Sequence, residues 1–139
     1  MKKVRHMKLL IITIVWFFSF SAMTQAAEWV EIDSKVYMDV FSYEYNSETK
    51  IARVWIKTIN SEHFEMGKIK GKKVGHLLSY EEFDCARKQR RTISSVSYDS
   101  QSKVLASYDN PLSSWSNVIP DSRGELWYQL ACNPEMTRD

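Results

Sequence analysis

The segment Ile51–Ile59, IARVWIKTI, is the clearest strand signal in this 139-residue sequence. Its residues alternate in character and are rich in β-branched and aromatic side chains, which favour strands. One face carries Ala52, Val54 and Ile56, and the other carries Arg53, Trp55 and Lys57. This alternation predicts a strand in an antiparallel sheet that packs its apolar face against a core.

A second strand pattern precedes it in Lys35–Tyr45, KVYMDVFSYEY. Strict alternation puts Val36, Met38 and Val40 on one face and Tyr37, Phe41, Tyr43 and Tyr45 on the other. Aromatic residues are enriched at interfaces, so the tyrosine-rich face is a candidate surface for a partner or a homodimer. The tryptophans are expected in the core or at its rim. The linker NSETK, residues 46–50, predicts a hairpin turn into Ile51–Ile59.

The strand character continues towards the C-terminus after a polar, lysine-rich segment at residues 60–75. We expect that segment to be a mobile loop that has room for a short edge strand. A long strand region is predicted from about Leu77 to Tyr98, and DSQSK, residues 99–103, predicts a hairpin into VLASY. Residues 111–120 predict an irregular crossing segment.

One helix is predicted at the C-terminus, from about Ser122 to Asn133. Ser122 and Glu125 form an S-x-x-E capping box, in which each side chain satisfies a backbone donor at the helix start. Gly124 weakens this helix by up to about 1 kcal/mol, and Pro134 prevents its continuation. The fold class is therefore α+β: an antiparallel sheet followed by a single helix.

The N-terminus has the layout of a secretory signal peptide, with basic MKKVRHMK, an apolar run from Leu9 to Phe20, and small residues up to Ala26. The alternative is a membrane anchor, but a spanning helix needs about 20 apolar residues. We predict cleavage after Ala26, with Ala27 as the neighbouring alternative. Residues 1–26 are then a signal peptide and residues 27–139 the domain, with no membrane span after cleavage.

Removal of residues 1–26 changes the charge, because four of the 19 basic residues and none of the 17 acidic ones leave. The remaining domain has 15 basic and 17 acidic residues. Export and this balance exclude nucleic acid as the expected partner. Cys85 and Cys132 remain, and in an oxidising compartment they predict a disulfide. Metal binding is the competing interpretation, but the sequence has no Cys-x-x-Cys pair.

The stretch CARKQRR, residues 85–91, holds the candidate binding residues Arg87, Lys88, Arg90 and Arg91. On a strand, these charges would point to both faces. One interpretation is a solvated or edge position where basic side chains block edge-to-edge association. The other is a patch for acidic ligands: heparin-like anionic glycans, acidic segments of matrix proteins or anionic lipids.

The sequence carries no motif of an enzyme. It has no G-x-S-x-G, no glycine-rich phosphate loop and no H-E-x-x-H. The histidines of the domain, His63 and His76, lack metal-ligand spacing and are expected at the surface. We expect a non-enzymatic protein without a cofactor.

A dispersed set of residues resembles the surface-adhesin protein E-like family, and its most specific part is the tail W-x4-P-x-S-x2-E-x6-C. The matching residues are Trp29, Tyr37, Asp39, Val54, Trp55, Asp84, Cys85, Tyr98, Asp99, Trp115, Pro120, Asp121, Ser122, Glu125 and Cys132. The resemblance implies a sheet of about six strands with a C-terminal helix tethered by the disulfide. It also implies adhesion to host matrix proteins such as vitronectin and laminin, with hemin binding and dimerisation linked to the family.

Two departures separate this chain from the lipid-anchored adhesin of that family. There is no cysteine to lipidate near the cleavage site, and the DSQSK turn lacks glycine. Two functions follow as hypotheses, since fold does not fix function. One is an exported adhesin-like protein of a Gram-negative cell surface that contacts a host matrix-type macromolecule. The alternative is a soluble periplasmic binding or inhibitor module for an enzyme or small ligand.

Overall fold

The structure, a computed structural model, describes residues 26–62, 65–133 and 135. The predicted signal peptide lies outside the described residues, except for Ala26. The elements are β1 (Trp29–Asp33), β2 (Val36–Asp39), β3 (Glu44–Asn46), β4 (Ile51–Ile59), β5 (Lys68–Ile69), β6 (Lys72–Lys73), β7 (His76–Asp84), β8 (Gln89–Tyr98), β9 (Val104–Asp109), β10 (Ser116–Asn117) and α1 (Arg123–Ala131).

Eight strands form one antiparallel sheet, which confirms the predicted α+β class. The order is β1-β2-β4-β7-β8-β10, with β3 added to one end of β4 and β9 added to β8. The polar segment at residues 60–75 contributes the separate two-stranded ribbon of β5 and β6. Among the described residues, no helix is both long and apolar enough to cross a membrane.

The core lies between one face of the sheet and α1, as the alternation in β4 predicts. Ala52, Val54 and Ile56 are fully buried there, beside Val36, Met38 and Phe83 of the neighbouring strands and Trp127 and Ala131 of the helix. Arg53, Trp55 and Lys57 point to the opposite side of β4. This opposite side of the sheet is called the open face below.

The prediction of one continuous strand over Lys35–Tyr45 is wrong, because the chain bends after Asp39. The buried Asp39 carboxylate accepts hydrogen bonds from the backbone N–H groups of Phe41 and Glu28. This bend changes the facing of the later residues. Tyr43 and Tyr45 pack against the core instead of joining Tyr37 on the open face.

The predicted strand region from Leu77 to Tyr98 is a hairpin of β7 and β8 with a turn at residues 85–88. The Asp84 carboxylate accepts the backbone N–H groups of Ala86 and Arg87, at 3.1 and 2.9 Å, and so fixes the turn. Lys88 ends it with φ 55°, a left-handed conformation that is uncommon for a residue with a side chain.

The helix begins as predicted, but the capping box forms only in part. Ser122 is the N-cap, and its hydroxyl accepts the N–H of Glu125 at 3.2 Å. The Glu125 carboxylate accepts the N–H of Asp121 at 2.8 Å and also pairs with Lys88. It therefore closes the preceding turn instead of capping Ser122.

The Cys85–Cys132 disulfide forms, with 5.6 Å between the Cα atoms, and excludes the metal interpretation of this pair. It joins the turn after β7 to the C-cap of α1. Two tyrosine hydroxyls support the same end of the helix. Tyr43 donates to the carbonyl of Ala131 at 2.8 Å, and Tyr128 donates to the carbonyl of Cys85 at 3.0 Å.

Replacing both cysteines, as in Cys85→Ser/Cys132→Ser, should lower the free energy of unfolding by about 4 kcal/mol on the chain-entropy estimate. The disulfide closes a loop with a sequence separation of 47 residues, and this restriction of the unfolded chain is lost. Urea denaturation of the oxidised protein and the double variant measures the difference. Equal unfolding midpoints would contradict the tether as a source of stability.

Candidate functional site

The structure separates the four candidate basic residues instead of placing them on one strand. Arg87 and Lys88 lie in the turn between β7 and β8, while Arg90 and Arg91 lie in β8. Arg90 is opposite Phe83 in the register and therefore faces α1. Arg91 is opposite Glu82 and lies on the open face. The four positive charges therefore lie in three places: the turn, the helix side of β8 and the open face.

The two turn residues are the exposed ones, and each has an acidic partner. The Arg87 side chain is 75% exposed and lies 3.4 Å from the Asp84 carboxylate. Lys88 is 49% exposed and contacts Glu125 of the helix at 2.6 Å. The hydrogen bond between them raises the pKa of Lys88 and lowers the pKa of Glu125.

Arg90 packs between the sheet and the start of α1. Its guanidinium lies over the Trp127 ring, 5.3 Å from the ring centroid, where a cation–π contact is favourable. A Cβ on Gly124 would come within 2.7 Å of the Arg90 Nη1 atom. Gly124 has a low helix propensity, but its lack of a side chain leaves room for Arg90.

Arg91 belongs to a charge cluster around the buried Glu82 on the open face. Both Arg91 and Arg53 pair with Glu82, whose side chain is only 3% exposed, and the Arg53 contact is 2.6 Å. Arg91 also lies over the Trp115 ring at 4.5 Å and donates to the carbonyl of Ser113. Because Glu82 has lost nearly all its water, these two arginines stabilise the sheet itself.

The rest of the open face is a half-buried aromatic surface. Lys57 lies over Trp29, 5.1 Å from the ring centroid, and 5.9 Å from that of Tyr37. Two stacked pairs cross the next strands: Trp55 on Tyr80 at 5.1 Å and His76 on Tyr98 at 4.5 Å. Of the three tyrosines predicted to share a face, only Tyr37 belongs to this surface.

An open cleft of about 760 Å³ adjoins this face at the start of β7. It is lined by Lys57, Ile59, Asn60, Ser61, Glu62, Lys73, Val74, Gly75, His76, Ser100 and Ser102. Burial, with a smaller contribution from the Lys57 charge, lowers the pKa of His76. The sequence marked His76 as a surface residue, and the structure places it half-buried in β7. His63 lies outside the described residues.

One buried carboxyl lies on the other side of the sheet. Glu81 is 2% exposed, and its Oε1 atom accepts the Thr92 hydroxyl at 2.9 Å. Burial raises the pKa of Glu81, although the charge of Arg90 opposes the rise. No sequence signal marked this residue. In the described ranges, no group of three or more His, Cys, Asp or Glu side chains could hold a metal ion.

The family model of Surface-adhesin protein E matches residues 28–133, which span the sheet, the helix and both cysteines. The chain belongs to this family. No curated protein matches it by sequence.

Crystal structures of Haemophilus influenzae protein E have a similar fold. Crystal form II is 11% identical, with a TM-score of 0.52 over 75% of this chain and 86% of the other. The selenomethionine form is also 11% identical, with a TM-score of 0.51 over 78% of this chain and 92% of the other. At this identity the likeness concerns the fold alone.

Three of the aspartates that carry the family resemblance have a structural role in this chain. Asp39, Asp84 and Asp99 are each at most 7% exposed, and each accepts backbone N–H groups at a turn. The backbone N–H groups of Lys103 and Gln101 lower the pKa of Asp99. These positions of the Adhesin E pattern therefore fix turns of the sheet.

The variant Lys57→Met should raise the pKa of His76 part of the way towards 6.5, because the charge of Lys57 is removed while burial remains. The lowered pKa means that His76 is harder to protonate in the folded state than in the unfolded state. The stability contributed by the neutral imidazole is therefore present above pH 6.5 and is lost as the pH falls through the folded pKa. An NMR titration of the imidazole measures this pKa. Lys73→Met, which changes another lysine of the cleft, is the matched control and should leave it unchanged. Equal pKa shifts in the two variants would contradict Lys57 as the charge that lowers the pKa of His76.

Proposed function

We propose that the protein is an exported, adhesin-like, non-enzymatic component of a bacterial envelope that contacts a host matrix-type macromolecule. Membership of the Surface-adhesin protein E family carries this proposal. The resemblance gives matrix proteins such as vitronectin and laminin, or anionic glycans, as partners. The disulfide supports an oxidising location, where such bonds persist.

The turn between β7 and β8 is the proposed contact for an acidic partner. Arg87 and Lys88 present their side chains to solvent there, whereas Arg90 and Arg91 are held by aromatic rings and the buried Glu82. Within the candidate patch Arg87, Lys88, Arg90 and Arg91, the first two therefore contact the partner, and the other two hold the sheet and the helix together. Exposed charge of this kind attracts acidic ligands in a salt-dependent way.

The charge reversal Arg87→Glu/Lys88→Glu should weaken binding to immobilised vitronectin, laminin or heparin by about tenfold or more at low salt, since two attractive charges become repulsive. Surface plasmon resonance at two salt concentrations measures the affinity. The loss should shrink as salt rises, because salt screens exposed charges.

The matched control is Lys68→Glu/Lys70→Glu, which reverses two exposed lysines in the β5–β6 ribbon, at the opposite end of β7. It changes the net charge by the same amount and should bind as the unchanged protein does. Equal losses in both double variants would mean that net charge, and not this turn, governs binding.

The alternative function, a soluble periplasmic module, gains support from the cleft beside His76. Two lysines and one glutamate line it together with serine and asparagine groups, a composition that suits a small anionic ligand. A ligand held partly by hydrogen bonds inside such a cleft should lose less affinity at raised salt than a partner held by exposed charges alone.

Location distinguishes the two functions. A protein with a C-terminal tag should lose the tag when intact cells are treated with protease, because an adhesin is exposed at the surface. A periplasmic marker protein should stay intact in the same cells. Protection of the tag until the outer membrane is opened would contradict the adhesin function and leave the periplasmic module.

A further inference from the structure

The outer edge of β9 carries backbone hydrogen-bonding groups that no described strand uses. β9 pairs with β8 alone. The N–H of Asn110 bonds the carbonyl of Ile93, and the backbone N–H and C=O groups of successive residues in an antiparallel strand point in opposite directions. Ser107 lies opposite Val96 and Asp109 opposite Ser94, so the N–H and C=O groups of Ser107 and Asp109 point away from the sheet.

This edge also concentrates exposed apolar side chains. The described part of the chain has six large apolar residues that are exposed, and four of them lie between residues 104 and 119. They are Val104, Tyr108, Leu112 and Ile119, with Leu112 87% exposed. The segment runs along the edge of β8 from β9 to β10. Val104 and Tyr108 belong to β9 itself, and Leu112 follows three residues after its end.

Charge is nearly absent from the same segment. Val104–Ile119 contains one charged residue, Asp109, in a chain in which 26% of residues are charged. The opposite edge of the sheet carries more charge, because the five residues of β1 include Glu31 and Asp33, whereas the six residues of β9 include only Asp109. Both edge strands contain a register shift. Charged side chains on an edge strand hinder its pairing with another chain, and β9 has fewer of them than β1.

We propose that β9 is a docking edge for an extended, uncharged segment of a partner protein, which adds to the sheet as a further strand. Backbone hydrogen bonds at Ser107 and Asp109 would provide affinity, and contacts with Val104, Tyr108 and Leu112 would select apolar side chains. This edge does not include Arg87 or Lys88, so the proposal stands or falls separately from the charge-dependent contact.

The probe for this edge is a fluorescent seven-residue peptide that alternates threonine and valine. We expect saturable binding in fluorescence anisotropy and slower hydrogen exchange of the Ser107 and Asp109 amides in NMR. Ser107→Pro removes an outward N–H and leaves the bonds to β8, so the affinity should fall about tenfold. Val104→Lys, which places a charge on the edge, should weaken binding in the same way.

Two controls separate strand addition from other binding. Val30→Lys changes an exposed apolar residue of the opposite edge strand and should bind the peptide as the unchanged protein does. A peptide N-methylated at alternate residues keeps its side chains and loses its backbone donors, so it should bind about tenfold more weakly.

Three results would overturn the proposal. The first is absence of peptide binding, and the second is equal binding of the N-methylated peptide. The third is a protein dimer in sedimentation that Ser107→Pro dissociates, since a second copy of the chain would then occupy the edge.

Discussion

The attachment of α1 to the end of β7 is the constraint on which the rest of the structure depends. The disulfide fixes the C-cap of the helix to Cys85, and Tyr43 and Tyr128 add hydrogen bonds at the same end. A helix of nine residues is marginal in water on its own. Once fixed there, it packs Trp127 and Ala131 against the apolar side of β4, and the opposite side of the sheet is left without a covering helix.

Buried charge explains why only part of the basic stretch in the sequence is exposed on the molecule. Glu82 is nearly excluded from water, and such a carboxylate is costly unless it is paired and hydrogen-bonded. Arg53 and Arg91 meet this need from two neighbouring strands. Arg91 is therefore committed to the fold, and the charge available to a partner from this stretch is mainly that of the exposed turn.

The sequence predicts the elements better than it predicts where they bend. Alternation in β4, the Ser122 cap and the cysteine count led to the correct sheet face, helix start and disulfide, because each depends on local pattern or on counting. The bend after Asp39 and the turn after Asp84 depend on carboxylates that bond backbone groups. These bends change where the following residues lie, so the prediction misplaced Tyr43 and Tyr45 on the tyrosine face and put Arg87 and Lys88 on a strand instead of in a turn. The pairing of Glu82 with two strands requires the tertiary register and had no local signal.

The free edge at β9 is informative because a single further charged side chain on the strand would hinder its pairing with another chain. One lysine on an edge strand is enough to hinder pairing. Several lysines of this chain lie in turns instead, at residues 35, 50, 70 and 88, where φ is positive. β9 and the segment after it contain none. An edge strand whose one charged residue is Asp109, with Val104 exposed on it and Leu112 exposed just beyond it, favours association with other chains. Such association is a liability for a protein that does not use it. The physical character of this edge is that of a surface that pairs with a partner strand.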